Sequence, residues 1–146
     1  MSTLRVEVLD PIKLPIITKL YKAYYPSAKA KRNETIVVGY LNNEIVSLVR
    51  LRSIDPYRLL TGMLVVPEHR RSGYAHQLMN ACQYNELTDK DYCFAYPHLE
   101  SFYSDHGFQA LEAHQLPTPL GQLFHRYINC GKALIPMQYI DKVSES

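Results

Sequence analysis

The residues with the most chemical potential lie between Met63 and Met79, in the run Met63-Leu64-Val65-Val66-Pro67-Glu68-His69-Arg70-Arg71-Ser72-Gly73-Tyr74-Ala75-His76-Gln77-Leu78-Met79. Leu59, Leu60, Met63, Leu64, Val65 and Val66 make a nearly continuous apolar strand. Pro67, which has no N–H to give to a ladder, ends it. Ala75, Leu78, Met79 and Cys82 then recur at i, i+3, i+4 and i+7, which predicts a helix with one face on a core. Between strand and helix, Arg70-Arg71-Ser72-Gly73 brings backbone N–H groups to the helix start. Unpaired donors and the positive end of the helix dipole act there together, so the turn is suited to a phosphate. Two other phosphate loops are excluded: the chain has neither Gly-x-x-x-x-Gly-Lys-Ser/Thr nor Gly-x-Gly-x-x-Gly. The plain alternative is a strand–turn–helix whose arginines are merely solvated.

The full spacing Val-Pro-x-x-Arg-Arg-x-Gly-x-Ala resembles the first signature of the GCN5-related N-acetyltransferase (GNAT) family, Arg/Gln-x-x-Gly-x-Gly/Ala after a strand, with Arg70, Gly73 and Ala75 at its three positions. The resemblance implies acetyl-coenzyme A as co-substrate and no metal. It places main-chain groups of Met63, Leu64 and Val65 on the pantetheine arm. It places the amides of Arg71, Ser72, Gly73, Tyr74, Ala75 and His76 on the pyrophosphate. A side chain at Gly73 would hold the phosphate off the backbone.

Leu99, Phe102, Tyr103 and His106 share a helical face before Gly107-Phe108, with Gly107 placed to end the helix. By residue type alone Tyr103 reads as a core aromatic. The segment is nevertheless similar to the family's second signature, Phe/Leu-Tyr-x-x-x-Gly-Phe. The resemblance makes Tyr103 the acid that protonates the departing thiolate. A phenol with an ordinary pKa of about 10 keeps its proton at neutral pH, as such an acid must.

Other elements must position these residues. Leu4–Leu9 alternates and predicts the first strand, and Pro15 is a suitable first helical residue. Ile17, Leu20, Tyr21 and Tyr24 keep helical spacing up to Pro26, with Tyr21 and Tyr24 assigned to core packing rather than to a cleft. Ser27–Glu34 reads as a basic loop, either one wall of an acceptor site or, the preferred reading, a solvated connection. Thr35–Leu41 and Glu44–Arg52 predict a hairpin through Asn42-Asn43, and Asp55-Pro56 a turn before the strand Arg58–Val66. The cofactor helix should run to about Leu87, followed by a strand at Tyr92–Tyr96, the helix of Tyr103 and a strand at Phe108–Leu111. From Leu4 to about Leu111 this is the family's order. The tail departs from it: Thr118 as N-cap, Pro119 at N1, a stripe of Leu120, Leu123, Phe124 and Tyr127, and a stop at Gly131 predict an inserted helix before a last strand near Leu134–Ile140. That helix could close an acceptor cleft, form a homodimer contact or simply cap the core.

The expected fold is therefore α/β (α+β), one domain over residues 1–146. It has a mixed central sheet, an antiparallel amino-terminal meander followed by βαβαβ, helices on both faces and an extra helix before the last strand. A chain of 146 residues, 47% hydrophobic and 21% charged, has the composition of a globular domain. No apolar run approaches the ~18 residues of a membrane span, and the amino terminus lacks a basic-then-apolar signal pattern, so neither a membrane nor export is expected and the cytoplasm is the default. Cys82, Cys93 and Cys130 include no Cys-x-x-Cys, and the six histidines form no ligand spacing, so no disulfide framework or metal site is expected. A net charge of +2 gives no argument for nucleic acid.

A general base has no clear candidate. The strands before the two signatures, Leu59-Leu60-Thr61-Gly62-Met63-Leu64 and Tyr92-Cys93-Phe94-Ala95-Tyr96, hold no glutamate. Asp55, Asp91, His98 and Glu100 lie near in sequence without a telling spacing, and water relayed through Thr61 or backbone carbonyls is the other route. Two functions remain open. One is acetyl transfer to a primary amine of a small molecule or peptide. The other is a cofactor-loaded module of the same fold that docks on a protein partner as a regulator.

Overall fold

The computed structural model describes residues 3–140. Its strands are β1 (Arg5–Val8), β2 (Thr35–Leu41), β3 (Glu44–Ile54), β4 (Tyr57–Val65), β5 (Asp91–Ala95), β6 (Phe108–Ala110) and β7 (Ile135–Tyr139). Its helices are α1 (Leu14–Tyr24), α2 (Tyr74–Asn85), α3 (Glu100–Asp105) and α4 (Thr118–Asn129). The strands form one sheet in the order β1-β2-β3-β4-β5-β7-β6. β4 and β5 run parallel, while β1–β2, β2–β3, β5–β7 and β6–β7 are antiparallel. This is the mixed α/β sheet that the family resemblance implies, with the inserted helix that the apolar stripe after Thr118 predicts.

The chain divides into two compact units. The first comprises residues 3–52 with Thr61–Asn85, the second Ser53–Leu60 with residues 86–140. In the first unit α1 lays Ile17 and Tyr21 on Ile36, Val38, Tyr40, Leu48 and Leu64. Tyr74, at the start of α2, joins a different cluster with Leu4 and Val46, against which Val65 also packs. Leu64 and Val65 are neighbours on one strand and so point to opposite faces, which puts the two clusters on either side of the strands. Asn42, left-handed at φ 57°, turns the hairpin as its sequence predicts.

In the second unit α4 buries Leu120, Leu123 and Phe124 against Leu59 and Tyr92. Phe94 meets Phe124 edge to face with ring centres 5.2 Å apart. Gly107 and Gly131 are left-handed and stand where α3 and α4 stop. Parallel pairing of β4 with β5 covers Arg58–Leu60 against Asp91–Cys93. An ion cluster holds that end. Arg58 binds both oxygens of Asp91, at 2.8 and 2.9 Å, and reaches Glu86 at 2.9 Å. Asp91 has no exposed side-chain surface and also accepts the Thr88 N–H at 2.8 Å.

Four local expectations are corrected. α1 begins at Leu14, one residue before Pro15, because a 3₁₀ turn over Pro11–Lys13, capped by Asp10, already winds the chain. Tyr24 is 40% exposed and Tyr21 2%, since the buried stripe is centred on Ile17 and Tyr21 and leaves Tyr24 at its edge. Ser27–Glu34 is not wholly solvated. Glu34 accepts from Arg50 Nη1 with both oxygens at 3.0 and 2.9 Å, and the Lys29 carbonyl accepts from the same nitrogen. Thr118 lies inside α4 and Pro117 is the N-cap, so the helix begins one residue earlier than expected and its N-cap residue supplies no side-chain bond.

The Arg58 cluster predicts an asymmetry between ion pairs. Arg58→Met leaves the Asp91 carboxylate buried with one backbone donor, so urea unfolding should show a loss of about 3 kcal/mol. Arg5→Met breaks an exposed pair with Glu7 and should cost less than about 1 kcal/mol. Equal losses would contradict the structural role of Arg58.

Candidate functional site

All ten residues expected at the cofactor lie in the first unit, on one strand–turn–helix. Met63, Leu64 and Val65 end β4. Leu64 is buried toward α1, and Met63 and Val65 are half-buried. Val66 N–H is tied to the Val46 carbonyl at 2.9 Å, and a 3₁₀ turn over Pro67–His69 follows. Arg70 is extended and its Nε donates to the Val65 carbonyl at 3.0 Å. The arginine of the motif thus braces the turn on the strand it follows, which takes up one of the main-chain groups expected to face the ligand.

The turn itself is exposed from Arg70 to Gly73. Arg71 is left-handed at φ 64° and Gly73 at φ 80°. A side chain in that region costs roughly 1–2 kcal/mol, so Arg71 is held there by its surroundings at some expense to stability. Strain of this kind in an exposed turn marks a place where backbone direction matters. A Cβ added to Gly73 would meet nothing within 4 Å, so crowding inside the chain is not what requires glycine. Its left-handed backbone and the open space before it are the features a phosphate group needs.

α2 begins at the next residue. Gln77 N–H is bonded to the Gly73 carbonyl at 3.0 Å, the first bond of the helical ladder. The amides of Tyr74 and Ala75 belong to the first turn, whose donors face outward along the axis. Tyr74 is buried and anchors this turn, with the His69 ring 6.1 Å away. Gln77 carries its own clamp, its side-chain carbonyl accepting the Leu4 N–H at 2.8 Å. Exposed Arg71 and Arg70 add positive charge at the same end.

Tyr103 belongs to the second unit. It is 7% exposed on α3, its ring meeting Phe102 and Phe108 edge to face at 5.1 and 5.8 Å. The ring is a packing element, so the core reading of this residue has real content, and any acid role rests on the hydroxyl alone. Asp91, the one carboxylate on β4 or β5, is bound by Arg58 and fully buried, so it is no general base. Cys93 is no nucleophile either: burial pushes its thiol well above the usual range. Among the described residues no three His, Cys, Asp or Glu side chains form a group fit for a metal, and no helix is long and apolar enough to cross a membrane.

Residues 32–110, more than half of the chain, match the family model of an acetyltransferase (GNAT) domain. The chain belongs to the GNAT family. No curated protein matches it by sequence. Solved structures of the same fold include N-acetylglutamate synthase from Neisseria gonorrhoeae, complexed with coenzyme A and N-acetyl-glutamate. It aligns at TM-score 0.70 and 11% identity, over 95% of this chain and 35% of that one. The chain thus spans about a third of that synthase's length. Rv2747 from Mycobacterium tuberculosis, solved in complex with CoA, aligns at 0.66 and 15% identity over 93% and 98% of the two chains. An acyl-CoA N-acyltransferase from Pseudomonas aeruginosa aligns at 0.62 and 16% identity over 94% and 100%. At these identities the likeness is one of fold.

The loop geometry predicts the effect of a charge at its centre. Gly73→Glu has room for its side chain, so the fold should survive with a loss of about 1–2 kcal/mol from the left-handed backbone. The carboxylate would stand where phosphate must approach, and affinity for acetyl-coenzyme A should fall at least ~100-fold. Calorimetry showing near-normal affinity would contradict the loop assignment.

Proposed function

We propose that the chain transfers an acetyl group from acetyl-coenzyme A to a primary amine of a small molecule or peptide. The observation that carries this reading is the turn between β4 and α2. It is exposed, basic, left-handed at Arg71 and Gly73, and continuous with first-turn amides. Family membership and the CoA complexes of structures with the same fold support the same ligand.

In this reading the pyrophosphate lies on the amides from Arg71 to His76, and the pantetheine arm runs along the main chain of Met63 to Val65. A neutral amine attacks the thioester carbonyl, a C–N bond forms and the C–S bond breaks. The Tyr103 hydroxyl gives its proton to the departing sulfur, and the proton lost by the amine passes to water. Water is assigned because the Asp91 carboxylate is committed to Arg58. Tyr103 recovers its proton from solvent before the next turnover.

That same commitment of Asp91 favours a second reading, a cofactor-loaded module that regulates a protein partner. Such a module needs the loop and no acid or base. A panel of amines with acetyl-coenzyme A, followed by thiol release, separates the two: turnover supports the enzyme, and tight binding without turnover on any amine supports the module. With an accepted amine in hand, Tyr103→Phe keeps the ring that packs on Phe102 and Phe108 and removes only the proton donor. The maximal rate should fall on the order of 10²–10⁴-fold, with cofactor affinity nearly unchanged. An unchanged rate, where chemistry limits turnover, would reduce Tyr103 to a core aromatic.

A further inference from the structure

A polar cluster buried beneath β4 lies outside the candidate site, and all of it belongs to the first unit. Tyr21, on α1, is 2% exposed, and its hydroxyl donates to the Gly62 carbonyl at 2.7 Å. The Arg50 guanidinium carbon lies 5.5 Å from the centre of the Tyr21 ring. Arg50 is itself 8% exposed and is held by Glu34 and the Lys29 carbonyl. Its Nε is buried without a hydrogen-bond partner. Gly62 sits in the middle of β4 with φ 68°. A Cβ there would come within 2.5 Å of the Tyr21 hydroxyl and 2.7 Å of Arg50 Nε. Both the left-handed backbone and the close approach therefore demand glycine.

The hydrogen bond from the Tyr21 hydroxyl fixes the direction of the Gly62 carbonyl. A peptide group is planar, and among the described residues the only cis bond is Asp55-Pro56. The Gly62 carbonyl and the Met63 N–H therefore belong to one rigid trans plane and point in opposite directions. Whatever fixes the carbonyl aims the amide.

We propose that Tyr21 is a positioning residue: by holding the Gly62 carbonyl it aims the Met63 N–H at the pantetheine arm of the co-substrate, with Arg50 packed against Gly62 to keep the plane from turning. The proposal rests on the reading of Met63–Val65 as the strand that receives acetyl-coenzyme A. Burial pushes the ionisation of Tyr21 well above the usual tyrosine range, the Arg50 charge offsetting only part of it. The hydroxyl is thus a donor at every working pH and is itself no general base.

The test separates aim from stability. Tyr21→Phe removes the hydroxyl and keeps the ring. Ile17→Val, one helical turn earlier and fully buried, costs a comparable ~1 kcal/mol without touching Gly62. Both variants and the parent protein are titrated with acetyl-coenzyme A by calorimetry and melted without ligand. The proposal expects similar small drops in melting temperature for the two variants. Affinity should fall about 5–10-fold for Tyr21→Phe, the worth of one misaimed hydrogen bond, and stay unchanged for Ile17→Val. If Tyr21→Phe binds like the parent, or both variants lose affinity alike, the proposal is overturned. An unfolded Tyr21→Phe would overturn it too, since the hydroxyl is given only a small share of stability. Failure of the parent protein to bind acetyl-coenzyme A would instead reject the functional reading beneath it.

Discussion

The structure depends on the fixed course of one strand, the main chain of β4. Three side-chain contacts hold it. Arg58 at its beginning is locked to Asp91 and Glu86, the Tyr21 hydroxyl takes the carbonyl of Gly62 in its middle, and Arg70 takes the carbonyl of Val65 at its end. A strand proposed to offer main-chain groups to a ligand cannot satisfy all of them by pairing within the sheet. It needs such external holds, because backbone groups without partners are costly and a strand without neighbours wanders.

Those holds carry a cost in stability that the apolar clusters must offset. Two arginines are partly or largely buried, one donor nitrogen is left without a partner, and Arg71 adopts a backbone conformation that side chains avoid. Each such feature is worth on the order of 1–3 kcal/mol against the fold, comparable to a large part of a small domain's net stability. They lie on β3, on β4 and in the turn that follows β4, while α4 contributes a conventional apolar face. The left-handed backbone at Arg71, in the turn after β4, is the kind of strain found where geometry serves a ligand rather than packing.

Much of this was legible in the sequence because apolar period and turn chemistry agree with the fold. The hairpin at Asn42-Asn43, the strand ending before Pro67 and the helix starting after Gly73 fall within a residue or two of expectation. So does the inserted helix with its stripe of Leu120, Leu123 and Phe124. Tyr24 was misplaced because helical spacing does not tell the centre of a buried stripe from its edge. The pairing of Glu34 with Arg50 has no periodic signature, since its members sit sixteen residues apart on a loop and a strand. The Tyr21–Gly62 bond spans 41 positions and is equally silent. The one clue was Gly62 itself, an isolated glycine within an apolar strand, which signals either a bulge or a close approach of another group. For the candidate site, the motif marks the loop residues, while the left-handed backbone at Arg71 and the brace from Arg70 to Val65 have no signature in the sequence.

The central claim is that one continuous stretch of backbone, from the end of β4 through the turn into α2, receives acetyl-coenzyme A. Backbone amide resonances of the isotope-labelled protein, followed during titration with coenzyme A, address it residue by residue. The account predicts saturable shifts at Met63 to Val65 and at Arg71 to His76, the largest of them around Gly73. Saturable shifts confined to other segments, or none at millimolar ligand, would contradict it.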